Sequence, residues 1–259
     1  MERETRTIRT VDLLGVFWRS FFIQASWSYD RMQSLGFAFA MIPVLRRLYP
    51  DRSEFSARMA AHMEYFNTQP YLASFVLGAA ARAEEARAAG RNPAPDLAEL
   101  KKTLTAPLGA LGDSFFWGSL KPFASAAAVA VLLTGSAWAP LLFLLLYNVI
   151  HVGLRFNLVF VGYATEGDVV GLLSRYNFTR LARRYKVMSL SIIGCILGTL
   201  PAWGPEFRHF EAVPSPLLTV AALAVTLALT ALIRIGASPV KLMLGLAALC
   251  LALALGGIV

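Results

Sequence analysis

The sequence has little charge and almost no cysteine. Only 15% of its 259 residues are charged, against about 25% in soluble domains, while 57% are hydrophobic. This deficit excludes an ordinary soluble domain and points to a membrane protein. Cys195 and Cys250 both lie in apolar runs with no CxxC or metal spacing, so neither a disulfide framework nor a thiol site is present and both are expected as small buried side chains. His62, His151 and His209 form no HExxH or other metal spacing. No GxSxG, Walker or Rossmann pattern occurs. The one pair of neighbouring carboxylates, Glu84 and Glu85, is adjacent in sequence and so points to different parts of a helix surface. No catalytic centre, metal or cofactor is therefore expected. The net charge of +8 is spread near the ends of apolar segments, where anchoring and topology place it, and nucleic acid is not an expected partner.

What is present is apolar sequence in long runs. A spanning helix needs ~20 mostly apolar residues. Five stretches meet or nearly meet this: about 119–136, 139–163, 187–203, 217–233 and 240–257. The 164–186 link carries Arg175, Arg180, Arg183, Arg184 and Lys186, and the 234–241 link carries Arg234 and Lys241. The 204–216 link mixes Arg208 with Glu206 and Glu211. Basic links belong on the cytoplasmic side, so five spans put the N-terminus inside and the C-terminus outside. The polar start, MERETRTIRTVD, has no signal-peptide apolar core, which agrees with a cytoplasmic N-terminus.

Residues 1–118 differ from the rest and read as an amphipathic and re-entrant helical region before the spans of 119–259. In VDLLGVFWRSFFIQASW, helical spacing aligns Leu14, Phe17, Trp18, Phe21 and Ala25, which predicts an interfacial amphipathic helix. The run from Leu35 to Leu45 is too short to span and predicts a re-entrant or protein-buried segment. Asp51 or Ser53 can cap a helix with a stripe of Phe55, Met59, Met63 and Phe66. Pro70 forces Gln69 toward extended backbone and stops that helix near Asn67. A second helix can start at Pro70–Tyr71, and the polar RAAGRNPAPD, 87–96, is a flexible link.

The stretch EYFNTQPYLAS, 64–74, is thus a helix–break–helix. In a membrane, such a break is tolerated where it lines a cavity or is buried in protein, and broken helices build many transporter substrate sites. The amides of Asn67 and Gln69 beside Tyr65, Phe66 and Tyr71 suit a sugar, which has hydroxyls on its edges and C–H groups on its faces. The alternative is that Asn67 and Thr68 only cap helix ends.

Other polar residues at depth are open between ligand and packing roles. Gln24 and Trp27 are three apart and would share a helix face. Asp113 can N-cap the first full span or offer a carboxylate to a cavity, and Lys121 can snorkel to the interface. Asn148, His151 and Arg155 share one face of a long apolar run, as a polar site or as interhelical hydrogen-bonding groups.

Three blocks, FWRSFFIQASWSYDRMQSLGFAFAMIP, HMEYFNTQPYLASFVLGAAARAEE and APLGALGDSFFWGSLKP, with LLFLLLYNVIHVGLRFNLVFVGY after them, resemble in content and order the IID membrane subunit of the mannose/fructose/sorbose class of bacterial sugar phosphotransferase systems (PTS). The resemblance covers about 17–163 and, more loosely, the rest. It implies an all-α polytopic inner-membrane protein that pairs with a IIC subunit, in oligomers of IIC–IID pairs, to carry a hexose. Soluble IIA and IIB would pass phosphate from phosphoenolpyruvate. The phosphorylated histidines of the family are on IIA and IIB, so this chain would carry no catalytic residue. On this reading Gln24, Trp27, Phe66, Asn67 and Gln69 contact sugar or shape its cavity, with Phe66 as the stacking ring. Asp113, Asn148 and His151 line the cavity or pack helices. The family commonly has His where this chain has Gln69, and Gln cannot titrate. A non-transporting scaffold or regulatory subunit of the same family is the alternative.

Overall fold

The computed structural model describes residues 6–93, 96–165, 177–199 and 216–255. Among these the chain is all-helical, with no strand and two isolated backbone pairings. It divides into two compact units, 1–197 and 198–259. Residues 204–215 of the expected 204–216 link, with Arg208, His209 and its two glutamates, and Arg175 fall outside the described residues.

The first unit begins with α1 (Thr10–Ser20), whose first turn is closed by the Arg9 N–H donating to Asp12 Oδ2 at 2.9 Å. Its buried face is Leu13, Val16, Phe17 and Ser20. The helix ends at Ser20 instead of running on to Trp27, and Trp18, Phe21 and Phe22 point outward. Of the expected stripe, Phe17 is buried in the protein, Leu14 is half-buried, and Trp18 and Phe21 face outward. Helix α2 (Ser34–Leu48) has fifteen residues and buries Phe37, Ala40, Met41, Val44 and Leu45 completely. One face of it is buried in the protein, while Leu35 and Phe39 on the other face are exposed. Helix α3 (Arg52–His62) is capped by Asp51, whose carboxylate accepts from Ser53 and Glu54 N–H.

Helix α4 (Ala73–Ala88) is the centre of this unit: twelve of its sixteen residues are buried. It ends in a turn with Gly90 at φ +75°, Arg91 N–H reaching back to the Ala86 carbonyl. A single continuous helix then runs from Leu97 to Leu132. It comprises α5 (Leu97–Gly112, N-capped by Asp96), a π-helical stretch (Asp113–Leu120) and α6 (Lys121–Leu132). The expected span at 119–136 is thus the second half of a longer helix that ends before Gly135 (φ +79°). The expected division at 118 falls inside the helix. Helix α7 (Ala139–Ala164) follows, and α8 (Phe178–Thr199) starts well before 187, with Arg180, Arg183, Arg184 and Lys186 in its first half. Cys195, expected to be buried, is exposed on α8, because the second half of that helix turns an apolar face outward (Leu190, Ile193, Leu197). The second unit contains α9 (Pro216–Arg234) and α10 (Pro239–Leu255).

Among the described residues, 97–132 and 139–164 are long and apolar enough to cross a bilayer. Shorter apolar stretches lie at Leu223–Arg234 and Val240–Leu249. Cys250 lies on α10, with its side chain outside the described set.

Among the described helices, α4 and α7 pack together most extensively, and glycine makes it possible. A Cβ on Gly78 would collide with the Val159 carbonyl oxygen, and one on Gly162 with the Phe75 carbonyl oxygen. Small residues let membrane helices approach backbone to backbone. Gly162→Ala should lower the thermal midpoint of the detergent-purified chain, with a loss of about 1–3 kcal/mol for overpacking. Gly153→Ala, on the open face of the same helix, should not lower it and should raise it slightly, by up to about 1 kcal/mol of helix propensity. Equal midpoints for the two variants would show that the close approach is not what holds the pair.

Candidate functional site

The helix break spans 63–72, between His62 and Ala73. Helix α3 stops at His62, five residues before the expected stop at Asn67, because the following backbone is recruited elsewhere. Gln33 N–H donates to the Phe66 carbonyl at 2.8 Å. The Gln33 side-chain amide then pairs with the backbone of Thr68 in both directions, Nε2 to the carbonyl at 2.8 Å and Oε1 from the N–H at 3.1 Å. Extended backbone that would otherwise be orphaned in an apolar surround is thereby satisfied. The loop supplying Gln33 closes between Ser28 and Met32, which sits at φ 53° and accepts the Trp27 indole N–H on its sulfur.

Each end of the break is capped from inside. The buried Gln69 Oε1 accepts from Tyr71 and Leu72 N–H at 2.8 and 3.1 Å, closing the turn that leads into α4. Its stem lies over Gly112, where a Cβ would strike it. Thr68 Oγ1 donates to the Thr105 carbonyl at 2.8 Å. The buried Lys101 ammonium reaches the His62 carbonyl at 3.2 Å, at the C-terminus of α3, and lies over the Phe37 ring. Gln69 is therefore a cap. Asn67 is not: it is half-buried and its side chain makes no hydrogen bond among the described residues.

Between the break and α5 is a cavity of about 410 Å³. Glu64, Tyr65 and Asn67 line one side, and Lys101, Lys102 and Thr105 the other. It offers an amide, a carboxylate, ammonium groups and the half-exposed ring of Tyr65. Other sequence-picked residues are not there. Phe66 is fully buried against Phe37, with ring centroids 4.5 Å apart, and has no open face for stacking. Gln24 and Trp27 lie in the turns after α1, not on one helix face, and both are exposed. Asp113 caps nothing, because the helix runs through it into the π-helical stretch, and its side chain is exposed. Lys121 lies over the Trp117 ring. Asn148 donates to the Leu144 carbonyl within its own helix.

His151 belongs to a second polar cluster on α7. Its ring stacks on Tyr71 at 4.4 Å, and Tyr71 and Tyr147 share a hydroxyl contact of 3.0 Å. Arg155, buried one turn on, donates to Ser20 Oγ at 3.2 Å and covers the rings of Phe21 and Tyr71. This cluster ties the start of α4 to α7 and α1.

Lys101, Thr105 and Gln33 were not singled out from the sequence. Lys101 carried a signal: it falls within the stripe of Leu97, Leu100, Leu104 and Leu108, all buried, and a lysine there must find a partner.

The adjacent carboxylates anchor the far end of α4. Glu84 accepts from Arg58, from Tyr49 Oη at 2.8 Å and from His62 Nε2 at 3.1 Å. Glu85 accepts from Ile8 N–H, Arg82 and Tyr163. Burial alone would push the Glu84 carboxyl up, but hydrogen bonds from His62 and Arg58 outweigh it and hold it at about 2. Burial holds His62 below its ordinary value, with Lys101 and Arg58 adding to that against the pull of Glu84. Neutral His62 then donates through Nε2.

Both groups have folded values below their unfolded ones, so each stabilises at high pH and loses that contribution as pH falls. The thermal midpoint in detergent should decline below about pH 6.5, where unfolded histidine charges. It should decline again below about pH 4.5, with about 3 kcal/mol at stake for Glu84 between 4.5 and 2. Glu84→Gln should cost about 3–5 kcal/mol by leaving Arg58 unpaired and should blunt the lower step. A variant as stable as the parent, with the same acid profile, would remove Glu84 from this role.

Residues 7–202 match the sequence profile of the PTS system mannose/fructose/sorbose family IID component. The chain is 37% identical over 190 residues to the PTS system mannose-specific EIID component of Escherichia coli K12, a match covering 72% of this chain and 66% of that protein. It thus spans just under two thirds of that relative's length. It is 30% identical over 197 residues to the PTS system sorbose-specific EIID component of Klebsiella pneumoniae, covering 75% of this chain and 71% of that one. It superimposes with a TM-score of 0.60 and 28% identity on a chain from the cryo-EM structure of the mannose transporter ManYZ in complex with microcin E492, covering 97% of this chain and 98% of that chain. A solved structure described as that of a membrane protein gives a TM-score of 0.70 at 28% identity, with 98% of each chain covered. The chain belongs to the mannose/fructose/sorbose family of PTS IID components, membrane proteins of sugar transport.

Proposed function

We propose that this chain pairs with a IIC subunit in the bacterial inner membrane to form the path by which a hexose is carried inward and phosphorylated by IIA and IIB. The observation that supports it best is the cavity of about 410 Å³ at the helix break. It is large enough for a monosaccharide, and its lining follows the pattern of sugar sites: a flat ring face and convergent polar groups. Asn67, with an uncommitted amide, and Tyr65 are the residues assigned to the sugar, with Glu64, Lys102 and Thr105 around them. Gln24 and Trp27 shape the approach from the neighbouring loop. Gln69 acts one step back, by holding the start of α4 in place. On this reading the chain crosses the bilayer about five times, with the N-terminus cytoplasmic and the C-terminus outside. Residues 1–118 contribute the cytoplasm-facing part of the path, and the IIC–IID pairs form oligomers.

The test is phosphoenolpyruvate-dependent uptake of labelled mannose, glucosamine and fructose in a host lacking its own system. The chain is expressed with its neighbouring IIC, IIA and IIB subunits, and a matched strain omits it. Uptake should vanish when the chain is omitted. Asn67→Ala should lower uptake roughly threefold to tenfold, the loss of about one hydrogen bond, at unchanged membrane abundance. A stable membrane complex without uptake would instead mark a scaffold or regulatory subunit, and a parallel loss of the protein from the membrane would make Asn67 structural.

A further inference from the structure

A groove of about 380 Å³ between α1 and the end of α2 is lined by five arginines, Arg6, Arg9, Arg19, Arg46 and Arg47, against one carboxylate, Asp12. Asp12 is already engaged: it accepts the Arg9 N–H and lies 3.6 Å from the Arg9 guanidinium. Arg47 donates to the Thr7 carbonyl, which fixes one guanidinium at the rim. Arg6 and Arg46 have no ion-pair partner among the described residues. Five guanidinium groups concentrated in one concave surface against a single carboxylate repel each other, and a phosphate accepting from two or more of them relieves that repulsion with bidentate hydrogen bonds.

The groove is continuous with an apolar surface. Arg19 lies over the Phe39 ring at 4.9 Å, and Phe39 meets Phe22 edge to face at 6.0 Å. Phe22, Phe39, Trp18 and Leu35 are all exposed. Arginines beside outward aromatic and aliphatic side chains have the composition of a surface that sits at the headgroup level of a bilayer. A soluble phosphorylated partner would match the arginines but would leave the aromatic rings in water.

We propose that this groove binds the phosphate of an anionic phospholipid, with Phe22, Phe39 and Trp18 seated in the adjoining acyl boundary. The site is independent of the sugar cavity and of any transport reading. The charge term is worth roughly fivefold in affinity for each guanidinium.

The experiment places the full-length chain in nanodiscs of equal phosphatidylglycerol and phosphatidylcholine, extracts it gently and measures the retained lipid by mass spectrometry. The parent should retain phosphatidylglycerol in several-fold excess, falling as salt rises. Arg6→Gln/Arg46→Gln should abolish that excess, and Arg6→Lys/Arg46→Lys should keep most of it, which separates charge from misfolding. Millimolar inorganic phosphate should not displace the lipid; displacement would show a free-anion site and overturn the lipid assignment. Equal retention of the two lipids by the parent, or an unchanged excess in the Gln variant, would also overturn it. So would displacement by an added phosphorylated carrier protein, which would make the groove a protein-docking surface.

Discussion

Helix α4 touches α7 backbone to backbone, and the first unit is arranged around that contact. Gly78 and Gly162 each face a carbonyl oxygen of the other helix with no room for a methyl group. So close an approach buries α4 almost entirely. The start of α4 and the Glu84 and Glu85 carboxylates are buried, so their polar groups must find partners in the protein. Gln69 closes the turn leading into α4, and Tyr49, Arg58, His62, Tyr163 and the Ile8 N–H hold the Glu84 and Glu85 carboxylates. Those partners come from α3 and α7, from Tyr49 just after α2 and from Ile8 just before α1. The demands of one buried helix therefore bear on four others.

The break preceding α4 follows from the same constraint. The chain must turn from α3 into a helix whose start is deep in the core. Gln33 makes that possible by pairing its amide with backbone that no helix could satisfy. What remains at the break, Asn67 and the ring of Tyr65, faces the cavity against α5. Lys101 and Thr105 both hold the break and line that cavity, whereas Asn67 and Tyr65 only line it. A further turn of non-standard helix, the π-helical Asp113–Leu120, lies just beyond the Gln69–Gly112 contact. Ser119 Oγ donating to the Ser114 carbonyl satisfies part of its altered register.

Some of this was readable in advance. Pro70 after two amides announced the break, and Asp51 or Ser53 announced the start of α3, where Asp51 is the cap. The shortness of 35–45 announced a segment that could not span. Other features were misjudged because periodicity reports apolar spacing and not its partner. Phe66 looked like a stacking ring, but Phe37 from α2 covers it. Asp113 looked like a cap, but the helix before it carries through. Gln24 and Trp27 looked like one helix face, but α1 yields at Ser20 to the loop that supplies Gln33. Lys101 passed unnoticed on its apolar stripe, because its partner, the end of α3, is 39 residues away.

The sequence by itself determined the solvent: the scarcity of charge and the long apolar runs require a bilayer. It also determined the helical class and the place of the break, since proline and unsatisfied backbone act locally. Block order carried the family resemblance as well. Tertiary structure alone decided which polar groups are consumed in holding the break and which remain free. Capping, pairing and burial there join residues from different helices, and no local pattern encodes which distant side chain will arrive. That is why Gln69 proved to be a cap while Asn67, two residues away, was left facing the cavity.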